Sequence, residues 1–360
     1  MNVPPHPSPL PGGEREGVRG PSSEAVIPVL HQVRDELQRD AAQKYWIPPY
    51  QVRGRLSQAR NDNLKGLLSN ILVKLNMDFE MEKVSCPICE EPRGDPLHLE
   101  GSFQMVRCPS CQFIFLNPRP TLDSLFCFYQ KYLPEEGPSI ESWEKMMTPV
   151  FHRAVNLLKQ YRGNGRLLDV GTGFGFFPVE MKKRGWEAAG VEISQKAMDY
   201  ARDALGLTIF PGPLEKVAFP DNDFDAVTAF YVIEHLSHPM AFLRECYRIL
   251  KPGGLLLLRY PHTTPIKNVL HFFGIKNRLY DLPAHLSDFS PKVIQACLEG
   301  IGFGKCQHLI GGYTLPRDLG KRTASVLFGG LSEALFYLSG KKFLLPGVSK
   351  TILAYKGNIS

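Results

Sequence analysis

The sequence predicts an α/β fold, a doubly wound sheet with a small cysteine-bearing unit on its N-terminal side. Three observations predict it. From about residue 145 onward short apolar strands alternate with helical stretches, the pattern of a sheet covered by helices. The first of those strands, Arg166-Leu-Leu-Asp-Val170, runs directly into a turn carrying Gly171, Gly173 and Gly175. Ahead of it stand two Cys-x-x-Cys pairs separated by 18 residues. A chain of 360 residues has room for two folded units, or for one enzyme domain with an appendage. Its 43% hydrophobic and 22% charged content excludes wholesale disorder, a collagen-like fibre and a coiled coil.

Residues 1–25 are rich in Pro, Gly and Ser without periodicity and are expected to form a disordered tail. Residues 26–80 contain two helix-like stretches, AVIPVLHQVRDELQRDAAQKY and LKGLLSNILVKLNM, and no pattern that points to chemistry. Met77 and Met81 stand just before the cysteines, so this helical extension is expected to be dispensable. No run of about 18 apolar residues occurs, and no charged start leads into an apolar stretch. A cytoplasmic protein is therefore expected.

The paired motif reads Cys86-Pro-Ile-Cys89 and Cys108-Pro-Ser-Cys111. Each Cys-x-x-Cys turn offers two thiolates to one side of an ion, and two turns close a tetrahedron. Structural zinc is the reading, because four protein ligands leave no open position for a reacting water; reduced free thiols or a redox pair are the alternatives. Residues 81–125 are thus expected to form a zinc-ribbon-like unit, with FIFLNPRP (113–120) as a strand ending in a turn. Cys127, Cys246, Cys297 and Cys306 are scattered and read as core residues.

Residues 126–360 read as the sheet domain, with an insertion at about 311–348. Further strands are expected at Trp186–Ile193, 224–230, 254–260, 303–310 and 350–357. Glycines directly after a strand let the backbone turn tightly and approach a ligand closely. The spacing is G-x-G-x-G, whereas the dinucleotide fingerprint places its third glycine one position later. Glu192 ends the next strand, where a carboxylate can accept from both hydroxyls of a ribose. Together these favour a nucleoside ligand without a pyrophosphate.

Five segments in order, Leu-Leu-Asp169-Val-Gly171-Thr-Gly173-Phe-Gly175, Gly190-Val-Glu192-Ile-Ser, Phe219-Pro-Asp-Asn-Asp-Phe-Asp225, Val232-Ile-Glu234-His235-Leu and Leu250-Lys-Pro-Gly-Gly254, resemble the motifs of class I S-adenosylmethionine-dependent methyltransferases. The resemblance is closest to the subgroup with quinone-biosynthesis enzymes and many bacterial cell-surface or secondary-metabolite enzymes. It covers roughly residues 80–360. What it implies is a Rossmann-like methyltransferase sheet that uses S-adenosyl-L-methionine. Gly171, Thr172 and Gly173, with Gly175 completing the turn, would line the methionine end, and Asp169 would face its amino group. Glu192 would hold the ribose and Ile193 would cover an adenine face. The adenine amino group would be met near Leu214 and Glu215, by the Glu215 side chain or by backbone and packing alone, since Pro213 departs from the family pattern. Phe230 would sit beside the methionine moiety.

Displacement of a methyl group from a sulfonium needs alignment, and a base only where the nucleophile must lose a proton. His235 and His285 are the catalytic candidates, ahead of His238 and His262; the alternative is that the Glu234-His235 pair only organises its loop. Quinone O-methyltransferases resembling this domain can carry a further Glu three residues before that pair. Tyr231 stands there, which weakens a metal-assisted catechol mechanism. The expected acceptor is a small molecule, a glycan or a lipid-linked compound, methylated on oxygen. The apolar stretch 321–346 has basic ends and is interrupted by Gly329, Gly330 and Glu333. It reads either as a helix capping the pocket or as a peripheral membrane contact.

The net charge of +6 arises in residues 261–360, where 12 Lys and Arg oppose 5 Asp and Glu. Neither the cysteine unit nor the cofactor half carries a phosphate-tracking surplus. An RNA methyltransferase is therefore the secondary reading, followed by a nonenzymatic scaffold that keeps the cofactor fold. The sequence does not set the oligomeric state.

Overall fold

The computed structural model describes residues 79–357 except 131, 134–136, 162, 276, 311 and 347–348. The tail expected over 1–25 and the helical extension expected over 26–80, save residues 79 and 80, lie outside the described residues. The described residues form one compact unit.

The N-terminal part is built of β1 (Met81–Glu82), β2 (Asp95–Glu100), β3 (Phe103–Arg107), β4 (Ile114–Leu116) and β5 (Arg119–Pro120), followed by α1 (Leu122–Tyr129). After α2 (Gly137–Tyr161) the main domain runs β6 (Arg166–Val170), α3 (Phe176–Lys182), β7 (Glu187–Glu192), α4 (Gln195–Asp203), β8 (Ile209–Pro211), α5 (Leu214–Val217) and β9 (Phe224–Phe230). A single 3-10 turn over Ile233–His235 leads to α6 (Pro239–Ile249), β10 (Leu250–Tyr260) and α7 (Thr264–Phe272). The chain closes with β11 (Ser287–Asp288), α8 (Pro291–Ile301), β12 (Phe303–Leu309), α9 (Leu319–Leu338) and β13 (Lys350–Lys356).

The main sheet has seven strands in the order β12-β13-β10-β9-β6-β7-β8. Strands β8, β7, β6, β9 and β10 are parallel, and β13 is inserted antiparallel between β10 and β12. The strand order reverses between β6 and β9, and a crevice opens at the carboxyl ends of strands on either side of such a switch point. That edge places the glycine turn, Glu192 and the 233–235 turn in one neighbourhood. The central strands read as continuous apolar runs because both faces are covered: every residue of β9 is buried. One face carries Leu168, Val170, Val227, Leu256 and Leu258 against α6 and α8; the other carries Leu167, Ala226, Leu255 and Leu257 against α2 and α3.

Two differences from the sequence reading stand out. First, the cysteine unit is not completed by its own residues. Its sheet has the order β11-β4-β3-β2, so an element from the C-terminal half supplies the edge strand, with Ser287 opposite Phe115 and Asp288 opposite Ile114. Cys86, Cys108, Phe113 and Phe115 belong to the same core cluster as Phe289, Val293 and Ile294, and the Phe113 and Phe289 rings lie 4.7 Å apart. Second, Gly329, Gly330 and Glu333 do not interrupt the insertion, since α9 runs unbroken through them. A Cβ on Gly329 would come within 2.6 Å of the Tyr313 ring, so this glycine lets the helix approach Tyr313 and close packing replaces what propensity withholds.

Candidate functional site

The site grows from the end of β6. Asp169 is buried beneath the glycine turn, and its two oxygens accept from Thr172 Oγ1 at 2.8 Å and Thr228 Oγ1 at 2.6 Å. Burial pushes its carboxyl up to about 7, the two hydroxyls pull it back, and neighbouring Glu192 adds to the rise. The turn itself needs positive φ at Gly171 (64°), Gly173 (56°) and Gly175 (81°), a region costly for any residue with a Cβ. Gly171 is further constrained by the Val232 side chain, which a Cβ would meet at 2.5 Å.

Glu192 ends β7 and is 6% exposed. Its Oε2 accepts from Gly173 N at 2.7 Å, and its Oε1 accepts from Ile193 N at 2.8 Å and Ser194 N at 2.9 Å. Burial raises its carboxyl above the ordinary value, and these three backbone donors oppose the rise. Glu192 thus ties the glycine turn to the start of α4. Its remaining acceptor capacity faces a surrounding that includes Ser194 Oγ, a buried hydroxyl without a partner. Two buried carboxylates flanking a glycine turn, each accepting from hydroxyl or amide donors, suit a ligand that joins a ribose to a cationic amino acid.

The other cofactor candidates are placed differently. Ile193 is half-buried and its carbonyl accepts from Gln130 Nε2 at 2.7 Å. Leu214 is buried in the core and Glu215 is exposed at the first turn of α5. Phe230 is 9% exposed, and its ring packs on Phe177 at 4.7 Å and Phe151 at 5.5 Å. Its side chain is therefore committed to the core under α2 and α3.

His235 and His285 are brought together, with ring centroids 4.8 Å apart, and Glu234 joins them so that one ligand atom from each lies within 4.8 Å of the others. The Ala284 carbonyl sits 2.8 Å from His235 Nδ1, which places the proton on that nitrogen and leaves Nε2 as the acceptor. Burial, reinforced by His285, lowers His235 to about 3, so its ring is neutral. Glu234 is 1% exposed and neither carboxylate oxygen has a hydrogen-bond partner. Burial raises it to about 8, with Asp288 adding and Arg259 opposing.

The unpartnered state of Glu234 gives a prediction. A carboxyl whose folded value lies above its unfolded value contributes stability that is present below the unfolded value and lost as pH rises through the folded one. Between pH about 4.5 and 8 the wild type should therefore lose melting temperature. Glu234→Gln should flatten that part of the curve, and an unchanged slope would place the titration elsewhere.

Sequence reading missed the cover over this site. Tyr129 donates to the Ala284 carbonyl at 2.7 Å, and the Tyr129 and Tyr132 rings each stand 5.5 Å from the His235 ring. Gln130 bridges to both sides of residue 194, since its Oε1 also accepts from Gln195 N at 3.2 Å. Trp143 lies over Gly173, 3.5 Å from where a Cβ would stand. The only signal was the Tyr-Gln-x-x-Leu spacing after the Pro118-Arg119-Pro120 turn, which is too short for periodicity to assign.

The four cysteine sulfurs form a second cluster, within 4.8 Å of one another. Cys86 and Cys111 sulfurs are 3.5 Å apart, as are those of Cys89 and Cys108. Disulfides need about 2.05 Å, whereas sulfurs about 2.3 Å from a common tetrahedral ion stand near the observed spacing. Cys111 N donates toward Cys108 Sγ at 3.4 Å, the kind of backbone support that metal thiolates receive. The donor set fits a soft tetrahedral cation.

Comparison with known proteins agrees with the geometry. A family model described as "Methyltransferase domain" matches residues 168–258, from β6 to β10. The chain is 29% identical over 181 residues to a ubiquinone/menaquinone biosynthesis C-methyltransferase of Geotalea daltonii, covering 43% of this chain and 77% of that protein. It is 32% identical over 130 residues to a ubiquinone biosynthesis O-methyltransferase of Alkalilimnicola ehrlichii, covering 34% of this chain and 53% of that one. The chain thus spans about half the length of the second relative. Among solved structures, a possible histamine N-methyltransferase of Thermotoga maritima aligns with a TM-score of 0.44 at 18% identity, over 64% of this chain and 99% of that one.

Proposed function

We propose that this chain, which carries an S-adenosylmethionine-dependent methyltransferase domain, methylates an oxygen of a small-molecule, glycan or lipid-linked acceptor, and that its four cysteines hold a structural zinc ion. The observation that carries the reading is the convergence of His235, His285 and Glu234 at the edge where the glycine turn and Glu192 also end. When bound, S-adenosylmethionine supplies an electrophilic methyl carbon on a sulfonium. Asp169 and the glycine turn would hold its amino acid end, Glu192 its ribose, and Ile193 an adenine face. Tyr129, Tyr132 and Trp143 would exclude water above it. The neutral His235, with Nε2 unprotonated, would accept the proton that an acceptor hydroxyl loses as its oxygen bonds to carbon, and His285 would orient the hydroxyl. A proton-accepting group serves methylation of a hydroxyl and of an activated C–H carbon alike, and the two quinone-pathway relatives differ in the atom they methylate.

Transfer of labelled methyl from S-adenosylmethionine into separated lipid, polysaccharide, small-molecule and RNA pools tests the acceptor, and label in RNA alone would replace this reading. In the same assay His235→Ala should lower turnover by roughly a hundredfold or more, the range of a general base, with cofactor affinity within about twofold of wild type. Equal loss of affinity and turnover would instead make His235 a loop-organising residue.

A further inference from the structure

Two exposed apolar surfaces leave the sheet at its carboxyl edge. The first is the far end of α7, where Phe272 is 84% exposed and Phe273 66%, with Val269 and Ile275 also exposed. The two Phe rings stand edge to face at 5.3 Å, and Gly274, at φ 68°, turns the chain immediately after them. The near end of the same helix is fixed. Lys267 Nζ lies 2.6 Å from Glu100 Oε2 with both side chains buried, Asn268 Oδ1 meets His98 Nε2 at 3.0 Å, and Thr263 N and Thr264 N donate to Asp288. The cysteine unit's sheet therefore anchors a helix whose tip points its largest apolar side chains at solvent.

The second surface is α9, which inverts the usual amphipathic arrangement. Ser332 and Phe336 are buried, whereas Leu327, Phe328, Leu331 and Leu338 are exposed. Both elements depart from neighbouring strand ends, since α7 follows Tyr260, α9 precedes Lys350, and these two residues are partners across β10 and β13. The charge around both is basic on balance. Residues 262–280 contain Lys276 and Arg278 besides the ion-paired Lys267 and no Asp or Glu, and residues 317–342 contain Arg317, Lys321, Arg322, Lys341 and Lys342 against Asp318 and Glu333. Among the described residues no helix is long and apolar enough to cross a membrane.

Contiguous exposed apolar side chains rimmed by basic residues suit an interface with anionic lipid. We propose that α7 and α9 dock this protein peripherally on an anionic phospholipid bilayer, with the Phe272-Phe273 tip inserting below the headgroups and the flanking Lys and Arg side chains meeting lipid phosphate. A protein partner would need apolar area of its own, whereas the net basic charge is complementary to an anionic headgroup layer as it stands. The docking surface does not depend on the acceptor or on the residues assigned to methyl transfer.

Sedimentation of the full chain with phosphatidylglycerol–phosphatidylcholine vesicles, against phosphatidylcholine alone, tests it. The expected result is binding to the anionic vesicles that weakens as salt is raised. The double variant Phe272→Ser and Phe273→Ser should lose about tenfold or more in partitioning, on the scale of buried apolar area. Leu327→Ser with Leu331→Ser should lose a similar amount. Melting temperature and cofactor affinity should stay at wild-type values in both, because all four side chains are exposed. Wild-type protein that stays in the supernatant at low salt, or a double variant that binds as well as wild type, would overturn the proposal. So would a dimer in sedimentation velocity that the double variants convert to monomer, which would assign the surface to a second copy. Since no turnover is read, failure here leaves the methyl-transfer reading untouched, and failure there leaves this one.

Discussion

Gly173→Val is expected to abolish measurable cofactor binding, raising the dissociation constant for S-adenosylmethionine by about a hundredfold or more, as followed by titration calorimetry. Gly173 sits at φ 56° and its N–H donates to Glu192 at 2.7 Å. A Cβ in that left-handed region costs roughly 1–2 kcal/mol, which is about tenfold in an equilibrium constant, so Gly173→Ala should stop near that smaller loss. Valine adds branching that the region does not accommodate, and its methyls would press toward Trp143, already 3.5 Å from the Cβ position. Relief of that strain by rotating the peptide would withdraw the N–H from Glu192 and detach the turn from α4. The contrast is Gly171→Ala, whose Cβ would strike Val232 at 2.5 Å and so should reduce folding as well as binding. Wild-type affinity in Gly173→Val would sink the assignment of this turn to the cofactor.

The second large effect is expected from Cys86→Ser combined with Cys108→Ser. Both residues are essentially unexposed, at 1% and 0%, so serine hydroxyls would be left in an apolar core as well as lost as ligands. Wild-type protein should contain about one zinc per chain by mass spectrometry of the metal, and the variant none. Structural zinc contributes on the order of 10 kcal/mol to folding in small zinc-binding peptides. Here the loss should not remain local. Phe113 and Phe115 share a core cluster with Phe289 and Val293, and β4 shares its ladder with β11. The melting transition of the whole described unit should therefore shift down by ten degrees or more, on the order expected for several kcal/mol. A stable variant with full turnover would reduce the cysteine cluster to four free thiols.

The parts legible in the sequence were those where one local rule decides the outcome. Strand β6, the glycine turn and Glu192 were readable because a buried parallel strand, a positive-φ turn and a strand-end carboxylate each leave a mark within a few residues. The Cys-x-x-Cys spacing was readable for the same reason. Strand β8 was missed because Ile209–Pro211 is only three residues long and ends in a proline. Strand β11 was missed because Ser287–Asp288 owes its conformation to β4, far away in sequence. The contribution of Glu234 was hidden differently: its motif was visible, but an unpartnered buried carboxylate is a property of its surroundings. Phe230 shows the converse, since its place at a strand end pointed to the ligand while alternation turned its side chain into the core.

The pairing of Ser287 with Phe115 also orders events in time. A ribosome delivers β2, β3 and β4 long before β11, and the intervening chain includes the whole parallel half of the main sheet. Until residue 288 emerges, β4 presents an open edge, and an unpaired edge is a template for pairing with another chain. The cysteine unit can gather its ion early, yet its sheet can be sealed only after the cofactor domain has been made, so a nascent chain stalled before β11 would be the form most prone to aggregate.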